Sequence, residues 1–325
     1  MLFSQKLLRR ILGVLWLIDA IFQVQPQMFT SNMIDNVLLP TLSSQPGPVA
    51  ASLHMIVLTI SSHLLFFNLL IAIVQAEIGL FLLAGFWVRG TVILSIVWSL
   101  IVWYGGEGMN MLLTGQASIL TGAPGAVLLY PLLGLLIYPR KAAGAKSDTD
   151  NGASSLLPQK HFYKVLAGFW IFAGLLQLQP YWWQPGQISQ SIGDMVAMGG
   201  FDSVLVDPVL HPISVLAVNL EIPLNIILIL LFLGLGIGLL MNRSHWLRPL
   251  LITSLLLSFL IWWIAQGFGA IFTGMATDFN SGLLLMLMTL VSWPRLAPQH
   301  AAQTQPASRA NLPTASTQLA EPATS

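Results

Sequence analysis

Long apolar runs alternate with short polar or glycine-rich breaks along the whole chain. Four runs fall in the first half, at about residues 8–25, 64–87, 90–106 and 123–139, and four in the second, at about 164–182, 221–242, 248–266 and 281–295. Several approach the roughly 20 residues that a helix needs to cross a bilayer. The pattern therefore predicts an all-α, polytopic helical membrane protein with about eight transmembrane helices.

The two halves repeat each other. Residues 103–115 and 262–274 align without a gap, which places Trp103 on Trp262, Glu107 on Gln266 and Thr114 on Thr273. The N-terminal run recurs as well, so we interpret it as a retained span rather than a cleaved signal peptide. We predict two parallel four-helix repeats, at 1–140 and 164–296, joined by a cytoplasmic linker at 141–163. The polar tail at 297–325 has the composition of a disordered segment.

The segments between the runs differ from ordinary loops. Segments 27–63 and 184–220 mix apolar and polar positions at helical spacing, which predicts short helices at the outer interface. The last apolar run, 282–293, would form a helix of only about 18 Å, against a hydrocarbon core of about 30 Å. The glycine-rich segment before it must then dip into the membrane. Irregular backbone at that depth is stable only when it is buried in protein or lines a wet cavity.

Composition and charge sharpen this picture. The chain is 55% hydrophobic and only 8% charged, and it has no cysteine, which excludes disulfides and thiolate metal sites. With a cytoplasmic N-terminus, all 13 Lys and Arg residues fall on the cytoplasmic side of the predicted topology. This positive-inside pattern predicts a multi-pass protein of the bacterial cytoplasmic (inner) membrane with both termini in the cytoplasm.

Three acidic residues in or next to the predicted spans are candidate catalytic, proton-handling groups. Asp19 and Glu77 lie inside predicted spans, and Glu107 ends the third span at the glycine-rich loop. Ionisable residues at such depths are costly and commonly functional. Solvation of Glu107, or structural hydrogen bonds to Glu77 and Asp19, is the alternative interpretation.

The repeated glycine-rich loops predict a periplasm-facing pocket in at least one half. Polar residues that recur in or close the two loops are its candidate ligand-binding residues: Glu107, Thr114, Gln116, Gln266, Thr273 and Asp278. The paired glutamines at the outer ends of the first spans, such as Gln23 and Gln177, are instead expected to hold helices or chain ends together.

The sequence does not favour a metal centre. His54, His63 and His211 fall on the predicted outer side together with many methionines, and such ligands suit copper. No tight cluster of histidines or regularly spaced methionines is present, so copper is disfavoured and no metal site is predicted.

One resemblance bears on function. Residues 10–16, Arg-Ile-Leu-Gly-Val-Leu-Trp, open a four-span module, and the glycine-rich loops close with Thr-Gly-Gln-Ala-Ser and Thr-Gly-Met-Ala-Thr. In its opening motif and four-span module the chain resembles DoxX/DoxD-like bacterial membrane proteins, some of which are subunits of quinone-linked oxidoreductases. The closing motif of the loops resembles that of a related group of bacterial membrane proteins. The resemblance implies a helical membrane fold and an association with quinone. It assigns no catalytic residue.

Three functional hypotheses follow. The first is a quinone- or redox-associated membrane subunit that works with a redox partner protein. The second is a transporter or permease for a small solute, and the third is a structural subunit that assembles with other membrane proteins. The chain has no nucleotide-binding motif, and no nucleic-acid partner is expected. Whether the protein is itself an enzyme is left open.

Overall fold

The computed structural model describes residues 3–139, 155–197, 202–241 and 244–294. These residues are built of helices and their connections, so the predicted all-α class is confirmed. Most of the predicted linker, at 140–154, and the predicted tail lie outside the described residues. The part of the linker that is described pairs Ser155 with Pro139 in a single antiparallel bridge.

The helices follow the apolar runs closely. The first half contains α1 (Gln5–Gln23), α2 (Gly47–Ser62), α3 (Leu64–Ala84), α4 (Val88–Gly105) and α5 (Ala126–Gly134). The second half contains α6 (Phe162–Leu176), α7 (Gln187–Ala197), α8 (Asp202–Met241), α9 (Ser244–Leu260) and α10 (Asn280–Val291). Each of the eight predicted runs therefore holds a helix, although several are shorter than the run.

Four helical segments of the described chain are long and apolar enough to cross a membrane. They are Leu64–Ala84, Val88–Gly105, Asp207–Met241 and His245–Ala265. Three of the remaining four helices are too short, because α6 has 15 residues, α10 has 12 and α5 has 9. Helix α1 has 19 residues but contains the charged residues Lys6, Arg9, Arg10 and Asp19. At 1.5 Å per residue α5 is only about 13 Å long. Length and composition thus support a helical membrane protein, while a count of eight complete spans goes beyond them.

The predicted outer helices are formed in part. The segment after α1 forms a π-helical turn, Met33–Leu38, and a 3-10 turn, Leu39–Leu42, in place of a regular helix. In the second half α7 and the beginning of α8 occupy the corresponding segment. Helix α8 is bent at Leu220, three residues before Pro223. A proline in a helix lacks the N–H for the i−4 carbonyl and its ring crowds that carbonyl, which explains the bend.

Two close helix contacts organise the halves. Gly13 on α1 faces Gly79 on α3 so closely that a Cβ atom added at Gly79 would lie 2.8 Å from the Gly13 carbonyl oxygen. A Cβ atom added at Gly236 on α8 would likewise lie 2.8 Å from the Ala167 carbonyl oxygen of α6. Side-chain amides join each pair at the end where α1 or α6 terminates. Asn68 Nδ2 donates to the Gln23 carbonyl at 3.0 Å, and Asn225 Nδ2 donates to the Gln177 carbonyl at 3.2 Å.

The two glycine-rich loops share a backbone conformation. Gly108 and Gly267 have φ of 54° and 48°, and Gly115 and Gly274 have φ of 77° and 82°, all in the region that favours glycine. The indole Nε1 of Trp103 donates to the Pro124 carbonyl at 2.6 Å, and that of Trp262 donates to the Phe279 carbonyl at 2.7 Å. These shared bonds fold each loop back towards the short helix that follows it.

Side chains of the second half satisfy the buried loop of the first. The Ala117 carbonyl accepts hydrogen bonds from Gln179 Nε2 and Trp182 Nε1, both at 3.1 Å. The Ile119 carbonyl accepts one from Gln266 Nε2 at 2.9 Å. Ala117 and Ile119 have no accessible surface. Buried carbonyls need such partners wherever water is excluded, and here protein side chains supply them.

Candidate functional site

A cavity of about 730 Å³ lies in the first half of the chain. Residues of α1, α2, α3, α4 and α5 line it together with Thr277 and Asp278, which come from the second glycine-rich loop. Its walls are mostly apolar. The polar lining residues are few: Asp19, Gln23, Thr59, Gln75, Trp98, Tyr104, Glu107, Tyr130, Thr277 and Asp278. A large apolar cavity with a small number of convergent polar groups is the usual form of a small-molecule site.

Asp19 is the most deeply buried acid of the cavity, with 2% of its surface exposed. Its Oδ2 accepts a hydrogen bond of 2.6 Å from the Tyr130 hydroxyl, and its Oδ1 has no protein partner among the described residues. The ring of Trp16 packs on Tyr130 with centroids 4.7 Å apart. One carboxyl oxygen is therefore fixed by tyrosine while the other is free for a ligand.

Two further polar atoms on the cavity wall lack partners in the described structure. One is Gln75 Oε1 on α3, in a side chain that is 6% exposed, and the other is the indole Nε1 of Trp98 on α4. Buried polar atoms are nearly always hydrogen-bonded. Two unpaired acceptors, on Asp19 and Gln75, and one unpaired donor on the same cavity wall thus indicate a place where a ligand or water completes the bonding.

Glu107 begins the glycine-rich loop after the C-terminal end of α4. Its Oε1 accepts a hydrogen bond of 3.3 Å from the Val127 N–H in the first turn of α5, and its Oε2 is buried without a partner among the described residues. Burial, reinforced by the nearby charge of Asp278, raises the pKa of Glu107 well above its ordinary range. A Cβ atom at Gly125 would lie 2.2 Å from Oε2, so glycine there makes room for the carboxyl group.

Asp278 reaches the same cavity from the other half of the chain. Its Oδ1 accepts from the Asn280 N–H at 2.5 Å and its Oδ2 from the Thr277 hydroxyl at 3.2 Å. Burial raises the pKa of Asp278, although both hydrogen bonds act in the opposite direction. At both Glu107 and Asp278 the pKa is thus shifted in the direction that stabilises the neutral form relative to the charged one.

A smaller cavity of about 240 Å³ adjoins the first. Its lining is rich in amides and includes Asn36, Asn110 and Asn280, and Asn36 is exposed at the surface of the protein. Glu107 and Asp278 line both cavities. The two acids thus lie between an apolar chamber and a polar one.

The structure brings three of the sequence-predicted residues together, because Asp19, Glu107 and Asp278 all line the large cavity. Glu77 does not join them. It is exposed on the outward side of α3 and lines neither cavity, since it lies two residues from Gln75 and so on another face of the helix. The proton-handling role of Glu77 stays a prediction, and the structure places this residue apart from Asp19, Glu107 and Asp278.

Four predicted ligand-binding residues have structural partners instead. The hydroxyls of Thr114 and Thr273 donate to the carbonyls three residues earlier, each at 2.8 Å, and line neither cavity. The side chain of Gln116 donates to Ser44 Oγ at 3.1 Å. Gln266 borders the polar cavity, but its amide is fully engaged in hydrogen bonds to protein. Recurrence at matched positions reflects the folding of the loop at these sites.

Three functional candidates escaped the sequence reasoning: Gln75, Trp98 and Tyr130. A signal for Gln75 existed, because it lies four residues before Gly79 and therefore on the helix face that packs on α1. Tyr130 and Trp98 each place one polar atom within an apolar run, and the hydrogen-bond partner of Tyr130, Asp19, lies 111 residues away in sequence. Periodicity alone does not reveal such contacts.

Among the described residues no group of three or more His, Cys, Asp or Glu side chains could hold a metal ion. His54, His63 and His211 are exposed.

Comparison with known proteins adds no relative: no family model matches the chain, and neither a curated protein nor a solved structure shows significant similarity to it. The resemblance to DoxX/DoxD-like proteins stays a prediction.

Proposed function

We propose that this protein binds a lipophilic molecule with a hydrogen-bonding head group, of the quinone class, in the cavity of the first half. The observation that carries the proposal is the set of unpaired buried polar atoms on a mostly apolar wall, among them Asp19 Oδ1, Gln75 Oε1 and Trp98 Nε1. A quinol hydroxyl can donate to either acceptor, and a quinone carbonyl can accept from the indole. The apolar remainder suits the ring and the start of its tail.

Entry from the bilayer fits the position of the cavity. Leu100 and Ile101 on α4 line it and are 50% and 55% exposed, and Met55 on α2 lines it and is 62% exposed. These side chains belong both to the cavity wall and to the apolar outer surface. A ligand dissolved in the hydrocarbon would reach the cavity sideways, between α2 and α4.

For the topology we propose two parallel four-helix repeats in the bacterial inner membrane, with both termini in the cytoplasm and the glycine-rich loops facing the periplasm. The distribution of the 13 basic residues and the shared loop geometry support this arrangement. In the cysteine-free chain, a cysteine at exposed Asn36 should react with an impermeant reagent in intact cells. A cysteine at Lys160 should not react, and the opposite result would contradict the topology.

In this proposal the protein is a redox-associated membrane subunit, and electrons pass between the quinone and a partner protein. The test uses purified protein in lipid nanodiscs and a short-chain ubiquinone that quenches tryptophan fluorescence. Gln75→Leu removes one hydrogen-bond partner and should weaken binding roughly five-fold. Glu77→Leu, on the same helix but outside the cavity, is the matched control and should bind like the wild type. Equal affinities for all three proteins, or no quenching at all, would refute the proposal.

A transporter of lipophilic cations is the second candidate. It is favoured by the combination of carboxyl groups with the aromatic rings of Trp16, Trp98 and Tyr104 in one cavity. The probe is tetraphenylphosphonium. Its affinity should rise with pH as the carboxyl groups ionise, whereas binding of a neutral quinone should not rise. Tight, pH-dependent binding of the cation without binding of the quinone would favour this second function.

A further inference from the structure

The two cavities share part of their wall, and the shared part contains the two acids Glu107 and Asp278. Glu107 Oε2 is buried and has no partner among the described residues. On the apolar side the neighbouring acid is Asp19, which is also buried and has one free oxygen. On the polar side the wall continues to exposed Asn36. Polar groups therefore extend from the deepest point of the apolar cavity towards the surface.

The titratable groups that line the two cavities beside these acids come from three helices, and the lining residues of α2 and α3 include none. They are Asp19 on α1, Tyr104 on α4 and Tyr130 on α5, and the lining of both cavities contains no Lys, Arg or His among the described residues. A neighbouring cation would hold a carboxylate in its charged form. Without one, the acids of this wall can gain and lose protons as the occupancy of the cavity changes.

We propose that Glu107 and Asp278 form a proton path between the ligand in the apolar cavity and the water of the polar cavity. The path rests on the proposed function in one respect, since the ligand must carry an exchangeable proton. In the first step a ligand O–H bond breaks and an O–H bond forms on a carboxylate of the pair. In the second step that O–H bond breaks and the proton passes to water. No electrons move along this path, because those of a quinol leave separately to the redox partner protein.

The second half lacks the groups for an equivalent path. Gln266 stands where Glu107 stands in the first half, and in the ungapped alignment of the loops Ile119 corresponds to Asp278. An amide with both ends hydrogen-bonded cannot pass a proton as a carboxyl group does. The proposal therefore contains a single proton path, in which Glu107 comes from the first loop and Asp278 from the second.

Chemical access to the acids from two sides tests the path. The full-length protein in nanodiscs is treated with a lipophilic carbodiimide or with a water-soluble carbodiimide plus an amine, and labelled residues are identified by mass spectrometry. Glu107 and Asp278 should react with both reagents, and Asp19 with the lipophilic one alone. Exposed Glu77 on α3 and exposed Asp35 in the outer segment report independently on the lipid side and the water side.

A blocking variant sharpens the test. Asn36→Trp at the entrance of the polar cavity should slow water-soluble labelling of Glu107 and Asp278 at least five-fold while lipophilic labelling is unchanged. Leu39→Trp, at a neighbouring exposed residue outside both cavities, is the matched control and should label like the wild type.

The outcomes separate this path from the proposed function. If neither Glu107 nor Asp278 reacts with the water-soluble reagent while Asp35 does, the path is refuted, whether or not quinone binds. Asn36→Trp behaving like Leu39→Trp would also refute it. If Glu107 and Asp278 react with both reagents but no quinone binds, the proton path is supported and quinone is excluded as the ligand. If added ubiquinone protects Asp19 from the lipophilic reagent while Asp278 still reacts with the water-soluble reagent, that result would support both the proton path and quinone binding.

Discussion

The cavity of the first half and the corresponding place in the second half begin from similar surroundings and differ in their polar groups. Trp16 and Trp170 are both buried at matched positions, but Ala173 replaces Asp19 in the second half. Phe232 occupies the position that matches Gln75, is fully buried, and stacks on Trp170 with centroids 5.5 Å apart. An aromatic ring thus packs in the second half where the first presents an unpaired amide oxygen.

The loops show the same contrast in their hydrogen bonds. Gln266 Oε1 accepts from the Gly282 N–H at 2.9 Å, and its Nε2 donates to the Ile119 carbonyl and to Ser281 Oγ. Glu107 caps α5 in the corresponding way through Oε1 and leaves Oε2 unpaired. A shared position can therefore serve the fold in one half and also present a free polar atom to a cavity in the other. Unsatisfied buried groups that line one common cavity, and not recurrence, distinguish the candidate site.

Exchanging the two capping residues should give the largest difference. Gln266→Glu removes both donated hydrogen bonds and places a carboxyl group opposite the Ile119 carbonyl, so we expect a loss of about 3 kcal/mol in the free energy of unfolding. Glu107→Gln keeps an oxygen for the Val127 N–H and should change the stability by less than about 1 kcal/mol. Unfolding titrations in mild detergent compare the two, and equal losses would remove the distinction between the halves.

The bond between Asp19 and Tyr130 gives a second, smaller effect. Asp19→Ala leaves the buried Tyr130 hydroxyl without its partner and should cost about 2 kcal/mol. In the double variant Asp19→Ala with Tyr130→Phe, no hydroxyl is left unpaired, so its loss should be smaller than the sum of the single losses. Additive losses in the same titration would show that the bond contributes nothing.

The pH dependence of the free energy of unfolding tests Glu107 and Asp278, the two acids that line both cavities. The pKa of Glu107 and that of Asp278 are raised by burial in the folded protein, so their contribution to stability is fully present at pH values below the ordinary carboxyl pKa values. It is lost as the pH rises through the higher pKa values of the folded state. Thermal midpoints should fall over this window, and the fall should be smaller in Asp278→Asn. An identical pH profile for that variant would contradict the assignment.

The smallest effect is expected at the loop threonines. Thr114→Val and Thr273→Val each remove two local turn hydrogen bonds and should each cost about 1 kcal/mol, with no change in quinone affinity. Thermal midpoints and fluorescence quenching measure the two quantities. A loss of quinone binding in Thr114→Val but not in Thr273→Val would show that Thr114 belongs to the binding site.

The sequence predicted the class of fold and the location of helices well, because apolar runs between glycine-rich breaks leave few alternatives. It also indicated Asp19 and Glu107 from the cost of placing acids near a membrane, and Asp278 from its place in the second glycine-rich loop. It could not indicate that Asp278 crosses to the cavity of the other half, since that depends on how the loops interlock. The ligand-binding roles of Thr114 and Thr273 stay predictions, because a repeated polar residue predicts a repeated contact and not the nature of its partner.

Photo-crosslinking tests the central claim, a ligand site in the first half alone, most directly. A photoreactive short-chain quinone is bound to the protein in nanodiscs, illuminated, and its attachment mapped by mass spectrometry. We expect crosslinks around Met55 and Ile101, in the cavity-lining segments of α2 and α4. These crosslinks should disappear when unlabelled ubiquinone is added in excess. Competed crosslinks centred on Phe232 and its neighbours in the second half, or labelling spread over both halves that ubiquinone does not reduce, would contradict it.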